Sequence, residues 1–353
     1  MRLLFLTCLF VILILRFAST RPIYKQGQTI RVTATIYTEP NIYESSLGIE
    51  VAGLRVYLPR FPEVEYWDSI VIEGQVKDGQ LINPKIISIT KSNLVLARLR
   101  KRFINFVKIS LVEPHASLVS GIVLGSKSSM PKEFWDKLIK SSTAHVVVAS
   151  GMNVTMLAGF LLNSLILFIR RKRAVIISLI GIWLYSLLSG FDAPIVRASI
   201  MGTIAFSALA LGKLSNAIYA LLLSAALMLL VNPSWIMNLG FVLSFVATLS
   251  LILFQAKVDR KIHFVPAILR EGLSTSLAAQ IGVAPILYFA FGQFNIFSPI
   301  INALILWTVP YIMILGSISA IIGIIFEPLG RLIVYIVYPL TWWFVGVVNI
   351  FSI

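Results

Sequence analysis

Hydrophobic residues follow two different rhythms along this chain. Over residues 28–37 they alternate, with Ile30, Val32, Ala34 and Ile36 on one face and Arg31, Thr33, Thr35 and Tyr37 on the other. A period of two places successive side chains on opposite faces of a strand. Residues 49–58, 69–76 and 81–89 read as further strands. Asp78-Gly79 joins the last two as a hairpin, because such a turn needs left-handed backbone that Asp-Gly adopts cheaply. Short strands across 22–92 predict a small all-β barrel or sandwich. From His145 onward the pattern becomes long apolar runs. Eight stand out, at about 145–169, 174–190, 195–212, 216–231, 237–256, 273–290, 299–325 and 331–351. Several are shorter than the ~20 residues that span a bilayer, or contain Pro and Gly, which predicts broken and re-entrant helices.

Between these regions Asn93 is positioned to cap a helix running to about Ser110. Arg98, Lys101, Arg102, Asn105 and Lys108 share one face of it; Leu96, Leu99, Phe103, Phe106 and Val107 lie opposite. Such a basic amphipathic helix fits a membrane interface, and it also fits phosphate binding. At the N-terminus, residues 3–15 form a short apolar run between Arg2 and Arg16. An anchor is preferred to a cleaved signal there, because Ala18-Ser19-Thr20 is a poor cleavage site. The resulting map is an anchor over 1–21, a β domain over 22–92, the basic helix and a linker over 93–143, and a transmembrane domain over 144–353.

Composition supports this map. The chain is 58% hydrophobic and 13% charged, against about 25% charged in soluble domains. A soluble enzyme, a disordered chain and a fibrous repeat are excluded. The single cysteine, Cys8, excludes a disulfide framework and a cysteine metal site. The net charge of +15 suits cytoplasmic loops, a nucleic-acid path, or both. Eleven Lys and Arg lie between residues 144 and 353, and ten of them fall in alternate connections. Those are Arg170, Arg171, Lys172 and Arg173, then Lys213, then Lys257, Arg260, Lys261 and Arg270, then Arg331. The intervening connections at 190–194, 232–236 and 291–298 carry none. The positive-inside rule then sets the basic connections in the cytoplasm and the β domain outside. The fold expected is a polytopic α-helical membrane protein of about nine transmembrane or partly re-entrant helices, with a small extracytoplasmic β domain.

Catalytic motifs fail on spacing. Residues 121–128 resemble a phosphate loop, but Ser126 stands where the pattern needs Gly. His145 and Ser150 on one helix would diverge by about 140°, too far for a nucleophile–base pair. His115, His145 and His263 are too scattered to suggest a metal site. Polar residues in the apolar region carry more weight, since such residues mark pathways. Asp192 and Arg197 flank Pro194; Asn238 precedes the small pair Gly240 and Ser244; Gln280 precedes Pro285; Gln293, Asn295 and Asn302 surround Pro299. Snorkelling to the interface is the plain reading of Arg197. Together these residues describe bent helices with polar groups facing an interior path.

Four ordered blocks resemble the ComEC family of bacterial competence proteins. They run from Glu113-Pro114-His115 through Ser150-Gly151-Met152-Asn153, then from Gly190 through Asp192, Pro194 and Arg197 to Gly202. The third joins Asn232-Pro233 to Asn238, Gly240 and Ser244; the fourth joins Gln280 and Pro285 to Phe291, Phe297, Pro299, Asn302 and Pro310. The stretch around Tyr66 and Gly74 resembles the family's outer OB-like domain. The resemblance implies a channel passing single-stranded DNA into the cytoplasm. Asn153, Asp192, Arg197, Asn238, Gln280 and Asn302 are its candidate path, and Ser150, Gly151, Pro194, Gly240, Ser244, Pro285 and Pro299 its candidate helix bends. Arg98, Lys101, Arg102 and Lys108 form a candidate DNA-binding surface, with Tyr37, Tyr43, Tyr57, Phe61, Tyr66 and Trp67 as stacking faces or as core. The expected partners are single-stranded DNA, the bilayer, other uptake proteins, a separate nuclease and further copies of the chain.

The chain departs from the family in places. Many members carry His at the position of Asn153 and an acid near Asn238. The family's metallo-β-lactamase-like domain is missing, so no nuclease activity and no cofactor are expected. The chain ends at Ile353 inside an apolar segment, as a fragment or a shortened member would. Two other functions fit the residues alone. One is a multi-pass transporter of another solute. The other is a membrane-embedded hydrolase acting through Ser150.

Overall fold

The computed structural model describes Arg16 and residues 24–37, 40–42, 46–59, 61–62, 64–127, 130–148, 150–291 and 295–352. The expected anchor at 3–15 with Cys8, and the residues Tyr43 and Gln293, lie outside the described residues.

Six strands form one sheet: β1 Thr29–Thr35, β2 Asn41–Ile42, β3 Ser46–Val51, β4 Leu54–Pro59, β5 Ser69–Lys77 and β6 Gln80–Thr90. Their order is β1-β5-β6-β4-β3-β2, antiparallel throughout except between β4 and β6. β1 and β2 are consecutive in the chain yet form opposite edges. A flat sheet of this width would hold its edges ~24 Å apart. The step from Thr35 to Asn41 can cover ~21 Å only when fully stretched. The sheet therefore curls. Its inner face buries Val56, Leu58, Ile70 and Ile72 completely, and Ile30, Val32 and Ala34 pack against them as the alternation predicts.

Asp78-Gly79 makes the expected turn, with φ of 50° and 73°. Residues 49–58 are not one strand. Ala52 and Gly53 adopt φ of 52° and 76° and split the run into β3 and β4. An alanine in left-handed backbone leaves Gly53 as the sole turn signal there.

Among the described residues thirteen α-helices follow: α1 Val95–Ser110, α2 His115–Leu124, α3 Lys132–Lys140, α4 Ala144–Val147, α5 Gly151–Ile166, α6 Arg171–Leu188 and α7 Ala193–Ala210, then α8 Ala217–Val231, α9 Leu239–Lys261, α10 Ala267–Phe291, α11 Ser298–Leu306, α12 Val309–Ile325 and α13 Glu327–Phe351. Among the described residues, four helices (α7, α9, α10 and α13) are long and apolar enough to cross a membrane. A fifth span results if α11 and α12, bent by 42° at their junction, count together. α5 and α8 have 16 and 15 residues, and α6 begins on Arg171, Lys172 and Arg173, which keeps the count below nine.

The main core draws on α1, α2, α5, α6, α7 and α11–α13. α1 is anchored in it through Phe103, Phe106 and Val107, so the C-terminal half of its apolar face meets protein, while Leu99 stays exposed. Asn93 does not cap this helix. Leu94 occupies the cap position, its N–H bonded to Ser92 Oγ at 3.3 Å. Pro194 and Pro299 open α7 and α11 rather than bending them, and Pro285 lies inside α10.

α1 also relates two connections. Arg100 donates to the carbonyl of Leu188, at the end of α6. Phe106 packs on Gly323, at the end of α12. Six residues of helix plus two side chains span at most ~20 Å, short of the ~30 Å hydrocarbon core. The ends of α6 and α12 therefore lie toward one end of the helical bundle. The charge alternation instead expects them at opposite faces.

Candidate functional site

Arg197, on α7, is 8% exposed. Its Nε donates to Ser244 Oγ on α9 at 2.7 Å, and its Nη1 to Met201 Sδ at 3.4 Å. The guanidinium lies 5.9 Å from the centre of the Phe245 ring. Opposite stands the N-terminus of α5. A Cβ on Gly151 would come within 2.7 Å of Arg197 Nη2 and 3.3 Å of Ala198 Cβ. Gly151 thus gives the arginine its room.

Each wall is built by local sequence. Pro194 fixes the backbone at the first turn of α7. Asn238 caps α9, its Oδ1 accepting the N–H of Phe241 at 3.1 Å, and Gly240 leaves space for that cap. Ser244 lies on the α9 so started. Ser150 Oγ donates to Asn153 Oδ1 at 3.3 Å, and Asn153, fully buried, donates to the carbonyl of Ile122 at 2.8 Å. Ser186 and Ser199 join α6 to α7 by a 2.6 Å hydrogen bond. Ser150, Gly151, Pro194, Arg197 and Ser244 therefore belong to one neighbourhood.

Other expected residues lie elsewhere or act differently. Asp192 is half-buried at the start of α7 and makes no ion pair with Arg197. Asn238 serves as a helix cap. Gln280 is half-buried and makes no side-chain hydrogen bond among the described residues. Asn302 belongs to a second cluster, donating to Ser276 Oγ at 2.9 Å and Ser298 Oγ at 3.3 Å. There α10 and α11 touch closely: a Cβ on Gly272 would lie 3.1 Å from Ala303 Cα. Near Pro285, Gly282 lets α10 close on Ser250 of α9.

The catalytic look-alikes dissolve. Gly121 is inside α2, and Gly125 ends that helix at φ 67°. His145 lies in α4 and Ser150 just before α5, parted by extended backbone at Val148, with no hydrogen bond between them. Among the described residues no group of His, Cys, Asp or Glu could hold a metal. His115 packs on Tyr338 at 4.8 Å.

An arginine held by a hydroxyl, a thioether and a ring keeps its positive charge without a carboxylate. In a low-dielectric setting such a group attracts anions strongly.

A family model described as Competence protein matches residues 122–353. The chain belongs to the competence protein family. This is the ComEC family that its four blocks resemble. The chain is 28% identical over 225 residues to ComE operon protein 3 of Bacillus subtilis (strain 168). That match covers 64% of this chain and 28% of the relative's length. No solved structure matches. The family span begins inside α2 and takes in Arg197 with all its partners. The β sheet and α1 precede it.

One residue at the junction of these two parts of the competence-family chain escaped the sequence reading. Arg100, 6% exposed, donates to the carbonyls of Leu124 at 2.8 Å and of Leu188. These are the last residues of α2 and α6, where helix dipoles favour a cation. Its guanidinium lies 5.4 Å from the Tyr66 ring centre, and the Tyr66 hydroxyl donates to the carbonyl of Leu187 at 2.9 Å. Lys101 bonds Glu65 at 3.1 Å beside it. The sheet is thereby tied to the helices. The signal was present: Arg100 falls three residues before Phe103, inside the apolar stripe of α1. Tyr66 and Trp67 are buried, whereas Tyr37, Tyr57 and Phe61 remain exposed.

Proposed function

We propose that this competence-family membrane protein passes single-stranded DNA across the cytoplasmic membrane, with a separate nuclease removing the other strand. The observation that carries the reading is Arg197. It is a buried cation where three of the four family-like blocks converge, within the matched span. A fixed cation in an apolar surround can draw a phosphate away from water. Complementing a deletion strain and scoring labelled DNA in the cytoplasm tests this. Normal uptake without the gene would sink it.

On this reading the curled sheet is an OB-like domain outside the membrane, its parallel β4–β6 pair and near-closed edges being its support. Tyr37, Tyr57 and Phe61 offer stacking faces, while Arg98 and Lys108 are exposed cations. Lys101 is engaged by Glu65. Binding of single-stranded DNA should weaken with salt at a log–log slope of about −0.7 per phosphate contact. Replacing Arg98 and Lys108 by Gln is expected to make that slope shallower by about one unit or more. An unchanged slope would remove α1 from the DNA surface.

Topology is open to direct measurement. Residues 22–143 are assigned outside and 170–173 inside, on the charge distribution. The shared end of α6 and α12 then sets Pro328 outside as well. With Cys8 replaced by Ser, an impermeant thiol reagent on intact cells should label Ser46→Cys and Pro328→Cys but not Arg171→Cys. Labelling of Arg171→Cys alone would invert the assignment.

A further inference from the structure

We infer that the groove between α1 and the start of α13 is a binding site for one anionic phospholipid headgroup. Two adjoining hollows share Glu327 as a wall: one of about 270 Å³ between α1, the end of α12 and the start of α13, and one of about 460 Å³ that continues along α13. The smaller is lined by Arg102 and Asn105 of α1; the larger by Arg331 and Tyr335 of α13.

The groove holds donors in excess of its acceptors. Arg102 and Asn105 make no side-chain hydrogen bond or ion pair among the described residues. Arg331 bonds Glu327 through Nη2, which leaves its Nε buried without a partner. Two guanidinium groups against one carboxylate give the groove a net charge of +1. That matches one phosphodiester. Arginine suits this ligand, because its planar fork bonds two phosphate oxygens together.

The rim identifies which kind of phosphate. Ile109 and Leu332 line the hollows, Ile325, Phe326 and Ile336 neighbour lining residues in the chain, and all five are between 58% and 84% exposed. A free phosphate has no use for such a skirt. A lipid lays its acyl chains along it. Depth agrees, since Glu327 begins a helix long enough to span a membrane, so the groove sits at headgroup level. The inference rests on the membrane placement of α13 and not on DNA transport.

The test uses the full chain, purified in neutral detergent and stripped of lipid. Binding of dioleoylphosphatidylglycerol is read by native mass spectrometry beside dioleoylphosphatidylcholine and inorganic phosphate. Phosphatidylglycerol is expected to bind at one site, roughly tenfold tighter than phosphatidylcholine. Arg102→Gln should weaken it roughly fivefold or more, and Arg98→Gln, outside the groove, should not. Should Arg102→Gln fail to accumulate, Asn105→Leu fills the hollow without changing charge and should weaken binding too. Equal affinity for the two lipids overturns the site. So does an equal loss with Arg98→Gln, which would mean diffuse attraction to α1. Saturation by inorganic phosphate, with no added gain from phosphatidylglycerol, would show an anion site unrelated to lipid and overturn the inference equally.

Discussion

Replacing Arg197 by Ala is expected to cut labelled DNA in the cytoplasm by roughly tenfold or more, the scale set by losing a charged hydrogen bond. The protein should still insert and accumulate. Removing the side chain leaves Ser244 its own helix for support and opens a space beside Gly151, so the scaffold survives. What disappears is the buried charge. Arg197→Lys separates charge from geometry. Lysine keeps the cation but cannot reproduce the Nε bond to Ser244 together with the guanidinium's place over the Phe245 ring. Partial uptake by the lysine variant, well above that of alanine, is the expected pair of results. If the arginine merely snorkels, lysine works fully and alanine mainly lowers protein level. Normal uptake by Arg197→Ala at normal abundance would dismiss the site.

A second large effect is expected at the turn between α12 and α13. A Cβ on Gly330 would run into the backbone of Gly323, and would lie 2.7 Å from the carbonyl oxygen of Ser319. No rotamer change relieves a clash with backbone. Gly346, on the same helix, has nothing within 4 Å of its Cβ position. Alanine favours a helix over glycine by ~1 kcal/mol. Gly346→Ala should therefore hold or slightly raise the melting midpoint in detergent. Gly330→Ala should lower it by roughly 2–6 °C, from ~1–3 kcal/mol of overpacking. A midpoint for Gly330→Ala at or above that of the parent would mean the two helices do not approach as described.

Much of the fold was legible because membrane helices announce themselves by length and polarity. Each of the eight apolar runs corresponds to a helix, or to a pair parted by a short break. The break at Val148 was harder to read, since no proline marks it, whereas Pro310 in the first turn of α12 marks the one at Trp307. Residues 49–58 misled because Ala52 adopts a conformation that its side chain rarely takes. Prolines were overread as bends; at Pro194 and Pro299 the missing N–H falls on the first turn, where helices leave it unused. The neighbourhood of Arg197 could be guessed residue by residue but not assembled. Gly151 and Ser244 are 93 positions apart in the chain, and only packing brings them to one guanidinium.

Arg100 carries a consequence for the order in which the molecule is made. Its two carbonyl partners lie 24 and 88 residues further along the chain. At bacterial synthesis speeds of ~5–20 residues per second, the second acceptor arrives roughly 4–18 s after the arginine. Until α6 is in place, a guanidinium destined for burial lacks one of the two carbonyls that later receive it. Phe103, Phe106 and Val107 wait alongside it, since α12 is made later still. The sheet can close on its own strands early, but its seat on the helices cannot form until that insertion is complete. A β domain finished ahead of its seat would remain tethered and undocked. The Arg100 contact therefore couples the docking of the sheet to the completion of α6.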